Sequence, residues 1–98
     1  MKDGVVVVNT ARGAVVDEEA LVRSIERGKV FSAGLDVFEH EPAVHPGLID
    51  KPQVMLLPHV GTYTVETMTA MEEWCIANVQ AAIRTGKLKS PVPEQADL

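Results

Sequence analysis

Three residues stand out for where they fall. Arg12 follows the apolar run Val5 to Val8, Asp36 closes a second apolar stretch, and His59 follows a third, Val54 to Leu57. If those runs are parallel strands, all three sit at carboxyl ends, where open α/β sheets bind ligands. Arg12 offers a planar fork of N–H donors that can grip a carboxylate through two bonds. Its small flanks, Ala11 and Gly13, leave the approach open. His59 lies between Pro58 and Val60-Gly61, so proline fixes the chain entering it and glycine lets the chain turn away. A histidine held in this way suits a general acid near neutral pH. The segment Glu39-His40-Glu41-Pro42 adds two carboxylates, and either could bond the far ring nitrogen of His59 and favour its charged form. The bland alternatives are a loop arginine, a histidine bonded to nearby backbone, and solvated glutamates. His40 and His45 fall in a proline-rich loop and read as solvated, and histidines so irregularly spaced make no metal site.

The elements that must hold these residues can be read from pattern. Four consecutive valines, Val5 to Val8, predict a short strand covered on both faces. Residues 17–27 predict a helix: Asp17 as N-cap, Glu18 and Glu19 in the first turn, Leu21 and Ile25 on one face, and Gly28 just past the end. Phe31 to Phe38 predicts a second strand, with the chain leaving it near Asp36. Pro42, Pro46 and Pro52 make residues 39–53 a loop, with one helical turn at Pro46 to Asp50. Val54 to Leu57 predicts a third strand, ended by Pro58. Residues 64–85 predict a long helix closed by Gly86, with Met68, Met71, Cys75, Val79 and Ala82 in one apolar stripe. Ala70, Trp74, Ala77 and Ala81 widen that stripe, Cys75 reads as a packed small residue, and Arg84, Lys87 and Lys89 read as a solvated helix end. Strands alternating with helices imply parallel pairing and an α/β class.

Composition narrows the function classes. The chain has 98 residues, 46% apolar and 23% charged, with a net charge of -5. That is ordinary for a globular domain and disfavours a nucleic-acid binder, which needs a basic face. Cys75 is the one cysteine, so neither a disulfide nor a thiolate metal site is available, and a reducing, cytoplasmic setting is expected. The apolar runs are far shorter than the roughly 20 residues of a membrane span, so no membrane partner is expected. There is no G-x-G-x-x-G, because no two of the seven glycines fall two apart, and there is no P-loop, H-E-x-x-H or G-x-S-x-G.

Taken together, Asn9-Thr10-Ala11-Arg12-Gly13, Val16-Asp17-Glu18-Glu19-Ala20-Leu21, Gly34-Leu35-Asp36-Val37-Phe38, Glu41-Pro42 and Pro58-His59-Val60-Gly61 resemble the D-isomer-specific 2-hydroxyacid dehydrogenase family. The resemblance covers nearly all of residues 1–90. Its force lies in order and spacing, with 29 residues from Arg12 to Glu41 and 18 more to His59. Met1 to Gly13, the stretch from Gly61-Thr62 to Glu66-Thr67, and the tail are most similar to fungal glyoxylate/hydroxypyruvate reductases.

The resemblance implies roles. Arg12 would hold the carboxylate and carbonyl of a small 2-oxo acid. His59 would protonate the carbonyl oxygen as hydride arrives from NADH or NADPH, and Glu41, rather than Glu39, would bond the imidazole. Asp36 would bond the nicotinamide carboxamide. Thr10, Ala11, Arg12, Asp36, His59 and Gly61 would line the cofactor. It also implies a fold and a division: residues 1–62 as the second half of a Rossmann-type NAD(P)-binding domain, with three parallel strands; 63–86 as a long helix returning toward an absent substrate domain; 87–98 as a tail. The chain is thus expected to be a fragment without the pyrophosphate site, inactive alone, and prone to self-association or to pairing with the rest of its parent. The alternative is a non-catalytic interaction module, as in the transcriptional corepressors related to this family.

Overall fold

The structure is a computed structural model that describes residues 1–95. Its elements run β1 (Val5–Asn9), α1 (Glu18–Glu26), β2 (Val30–Leu35), β3 (Val54–Leu56) and α2 (Val65–Thr85), with single 3-10 turns at Gly13–Val15, Pro46–Leu48 and Pro93–Gln95. The chain divides into two compact units, Met1–Gly61 and a second beginning at Thr62.

In the first unit the three strands form a parallel sheet in the order β1-β2-β3, so β2 is central. Asn9 pairs with Leu35, and Leu35 with Leu56, which brings the carboxyl ends of all three strands into line. The α1 helix forms as its sequence dictates. Asp17 Oδ1 accepts the Ala20 N–H at 2.8 Å, Glu18 and Glu19 sit in the first turn, and Gly28 ends the helix at a positive φ of 73°. Leu21, Val22 and Ile25 form its buried face, packed with Val30, Ala33, Leu35, Phe38 and Leu48. Leu48 comes from the turn at Pro46–Leu48, so the proline-rich loop contributes to this core.

Several readings need correction. β1 is not covered on both faces: Val5 and Val7 are half-buried, whereas Val6 and Val8 are 56% and 70% exposed. Phe31 and Met55 lie open on the same side, because α1 covers only the other side of the sheet. β2 stops at Leu35, where Leu57 N–H takes the last carbonyl, and Val37 and Phe38 turn into the interior instead. The 3-10 turn at Gly13–Val15 was not expected, since one turn carries no periodicity to read. His45 is not simply solvated: it is half-buried, and its Nδ1 accepts the Gly47 N–H at 3.0 Å.

In the second unit, Thr64 caps α2 by accepting the Thr67 N–H at 3.2 Å, and Gly86 ends it at φ 73°. No residue of α2 is buried, so Cys75 is exposed rather than packed. The residues after Gly86 fold back along the helix: Ser90 N–H donates to Asn78 Oδ1 at 3.0 Å, and Trp74 Nε1–H donates to Ser90 Oγ at 3.1 Å. Lys89 Nζ stands 5.4 Å over the indole, so that lysine is not a purely solvated helix end. Among the described residues no helix is long and apolar enough to cross a membrane, and no group of three potential ligands could hold a metal ion.

Candidate active site

The site grows from the end of β1. Asn9 is buried, and its side chain organises the turn that follows. Its Oδ1 accepts the Ala11 N–H at 3.1 Å, and its Nδ2 donates to Arg12 O at 2.9 Å. Arg12 is thereby held in extended backbone with its side chain exposed. Gly13 then runs against the next strand's exit, where a Cβ would stand 1.9 Å from the Phe38 carbonyl and 2.5 Å from Glu39 N. Only glycine fits that crossing, so the Arg12 loop and the Phe38–Glu41 loop are in direct backbone contact.

Asp36 follows β2 immediately and is 4% exposed. Its Oδ1 accepts the Val60 N–H and its Oδ2 the Gly61 N–H, both at 2.8 Å. These two bonds hold the turn after β3. His59 sits at its start with φ 56°, a left-handed conformation that costs a non-glycine residue about 1–3 kcal/mol and persists where surrounding contacts over-determine it. Pro58 before it and the Asp36 clamp after it supply that constraint.

His59 Nδ1 lies 2.9 Å from Glu41 Oε2. Glu41 Oε1 accepts the Phe38 N–H at 3.0 Å, so each oxygen of this carboxylate has its own partner. The His59 hydrogen bond, then the Phe38 N–H, hold the Glu41 carboxyl below the ordinary glutamate pKa against the opposing effect of desolvation, with further help from the His59 and Arg12 charges. An open pocket of about 400 Å³ lies over the pair, lined by Phe38, Glu41, Pro42, Val44, Pro58 and His59. A larger concavity of about 880 Å³ on the open sheet face, around Val6, Val8, Phe31 and Met55, has no titratable side chain in its lining.

The structure thus brings Glu41 and His59 into contact and Asp36 onto Gly61, while the Arg12 guanidinium donates to Ala11 O at 2.7 Å. Thr10 and Ala11 are exposed just beyond the end of β1. Glu39, the other carboxylate weighed for His59, faces elsewhere: its Oε2 accepts the Glu18 N–H at 3.3 Å. The sequence by itself assigns Asn9 no role of its own and marks Glu18 only as a first-turn charge. A polar residue at a strand end, immediately before a turn, was the available signal for Asn9.

Residues 1–61 match the family described as "D-isomer specific 2-hydroxyacid dehydrogenase, NAD binding domain". The chain is 55% identical over all its 98 residues to 4-methyl-2-oxopentanoate reductase A of Aspergillus oryzae, of which it covers 30%. It superposes on a crystal structure of a glyoxylate reductase from Paecilomyes thermophila with a TM-score of 0.92 and 60% identity, over 97% of this chain and 29% of that one. It also matches the NADPH-dependent glyoxylate/hydroxypyruvate reductase of Sinorhizobium meliloti, solved with NADP and malonate, at a TM-score of 0.87 and 44% identity, over 93% of this chain and 28% of that one. The chain therefore spans less than a third of the length of these relatives. With its parallel Rossmann-type sheet and these matches, the chain belongs to the D-isomer specific 2-hydroxyacid dehydrogenase family.

Proposed function

We propose that this chain is the part of an NAD(P)-dependent 2-hydroxyacid dehydrogenase that carries the proton donor and the substrate clamp, acting on a small 2-oxo acid such as glyoxylate or hydroxypyruvate. The observation that carries the reading is the 2.9 Å contact between His59 Nδ1 and Glu41 Oε2 at the carboxyl edge of a parallel sheet. Its acidic balance and single cysteine fit a cytoplasmic enzyme.

The residues present fit the nicotinamide end of such a cofactor. Each Asp36 oxygen accepts one backbone N–H, and a carboxylate oxygen has two acceptor sites, so a carboxamide N–H can still be received. A Cβ at Gly61 would stand 2.9 Å from Asp36 Oδ2, so a side chain there would crowd this acceptor. Thr10, Ala11, Arg12, Asp36, His59 and Gly61 would hold that end. The sequence has no glycine-rich loop for the pyrophosphate. When bound, the nicotinamide supplies the hydride.

The proton chemistry follows from the pair. An ionised Glu41 only accepts hydrogen bonds, so the hydrogen between the two groups belongs to Nδ1. Nε2 is then the position from which a charged ring gives its proton to the carbonyl oxygen, leaving a neutral ring still bonded to Glu41. Arg12 pairs with the substrate carboxylate and holds the carbonyl where charge develops.

The test is a graft. Replacing the matching segment of the Aspergillus oryzae reductase with this chain should preserve nicotinamide-dependent reduction of a 2-oxo acid. In that chimera His59→Ala should lower kcat by roughly 10²–10⁴-fold, and Arg12→Ala should raise KM as well as lower kcat. This chain alone is the control and should not turn over. A folded chimera whose His59→Ala variant keeps its rate would remove His59 as the acid. A second reading, a non-catalytic association module, is supported by the open apolar sheet face but gives no reason for Glu41 and His59 to be paired.

A further inference from the structure

Glu18 and Glu39 make an unusual pair. They lie on different segments, 21 residues apart, and each accepts the other's backbone N–H: Glu39 N–H donates to Glu18 Oε1 at 2.9 Å, and Glu18 N–H donates to Glu39 Oε2 at 3.3 Å. Glu18 is the first residue of α1, so its N–H is one of the orphan donors of a helix N-terminus. Its own residue is 4% exposed, an uncommon burial for a glutamate, and the bond to Glu39 N–H gives its carboxylate a partner. The pattern resembles a capping box, but it ties the helix to a distant loop rather than to its own cap.

That loop is the one that carries Glu41. Glu39 N–H, fixed by Glu18, is the peptide next to Phe38 N–H, which donates to Glu41 Oε1 at 3.0 Å. The same Phe38–Glu39 peptide is backed by Gly13, where no Cβ fits. From α1 the constraints run through two consecutive peptides that meet at Phe38, to the Glu41 carboxylate, and on to His59 Nδ1. We propose that Glu18 and Glu39 are positioning residues, a reciprocal clasp that anchors the Glu41 loop to α1 and so sets the Glu41–His59 contact. The inference rests on reading that pair as the proton-handling unit.

The test follows the Glu41 carboxyl carbon by NMR titration of the ¹³C-labelled chain. The charged groups acting on Glu41 are His59 and Arg12, and His59→Ala sets the upper bracket for its midpoint. Glu18→Ala frees the Glu39 peptide, and the Glu41 midpoint should rise toward that bracket by about half a pH unit or more, the scale of one weakened hydrogen bond. Glu18→Gln, which keeps an acceptor oxygen, should stay with the wild type. A folded Glu18→Ala whose Glu41 midpoint does not move would overturn the proposal. If Glu18→Ala fails to fold, Glu18→Asp carries the same test, because a side chain one methylene shorter keeps the charge but withdraws the acceptor from the Glu39 N–H now at 2.9 Å. It should raise the midpoint in the same direction, and an unmoved midpoint would count equally against the clasp. The titration needs neither substrate nor nicotinamide. A positive result alongside a folded but inactive chimera would therefore count against the dehydrogenase reading and leave the clasp standing.

Discussion

Glu41 divides its two oxygens between a ring nitrogen and a backbone amide, and this decides how the site responds to acid. Its carboxyl lies below the ordinary glutamate value because of the His59 bond and then the Phe38 N–H. A carboxyl depressed in the folded chain adds stability above its unfolded pKa and loses it as pH falls through the folded value. Wild-type stability should therefore decline with acid from just above pH 4 downward, and Glu41→Gln should flatten part of that decline. Circular-dichroism melts between pH 3 and 6 would check this, and parallel curves for the two proteins would contradict it. The positions of Arg12, Asp36 and His59 beyond the ends of the three strands were legible because strand-end position is a sequence property. The choice between Glu39 and Glu41 was not legible from spacing. Residues two apart in an irregular loop can face either way, and only the peptide geometry around Phe38 shows that Glu41 turns to His59 and Glu39 to α1.

At the scale of elements, local signals carried far. Asp17, Gly28 and Gly86 end their helices where cap chemistry predicts, and Thr64, expected as the first helical residue, caps α2 instead, so α1 and α2 fall within a residue of expectation. What local signals could not show was contact between loops. Gly13 and Gly34 look alike in the sequence, yet a Cβ at Gly13 would meet the Phe38 carbonyl at 1.9 Å, whereas at Gly34 the nearest atom is Val8 Cγ2 at 4.0 Å. Gly13→Ala must push two backbone segments apart, and overpacking of that kind costs about 1–3 kcal/mol or more. Gly34→Ala meets only ordinary van der Waals distance, has no positive φ to oppose it, and should be neutral or stabilising by roughly 0.4–1 kcal/mol. Urea unfolding of the two variants should separate them clearly. Equal midpoints would show that the Gly13 crossing is not rigid, and the placement of Arg12 beside the Glu41 loop would lose its basis.

At the scale of the whole chain, the apolar runs state what the surface requires but not what meets that requirement. The valine run signals a strand, but it overstates the burial of that strand. In this chain one face is met by α1, while the other keeps Val8 and Phe31 at 70% exposed and Met55 at 64%. Within α2, Met71, Trp74, Ile76 and Val79 are each more than half exposed. Among the described residues nothing pairs with the outer edges of β1 and β3. Contiguous apolar surface and open strand edges both promote association. Sedimentation over a concentration series should therefore show an average mass rising above the 10.6 kDa of one chain. Val8→Glu combined with Phe31→Glu places two charges on the open face without touching the Glu41–His59 pair, and should return the mass to that of a monomer while leaving the Glu41 titration unchanged. A wild type that stays monomeric throughout would show that the open face does not drive pairing. If the double variant still associates, α2 or the strand edges carry the contact.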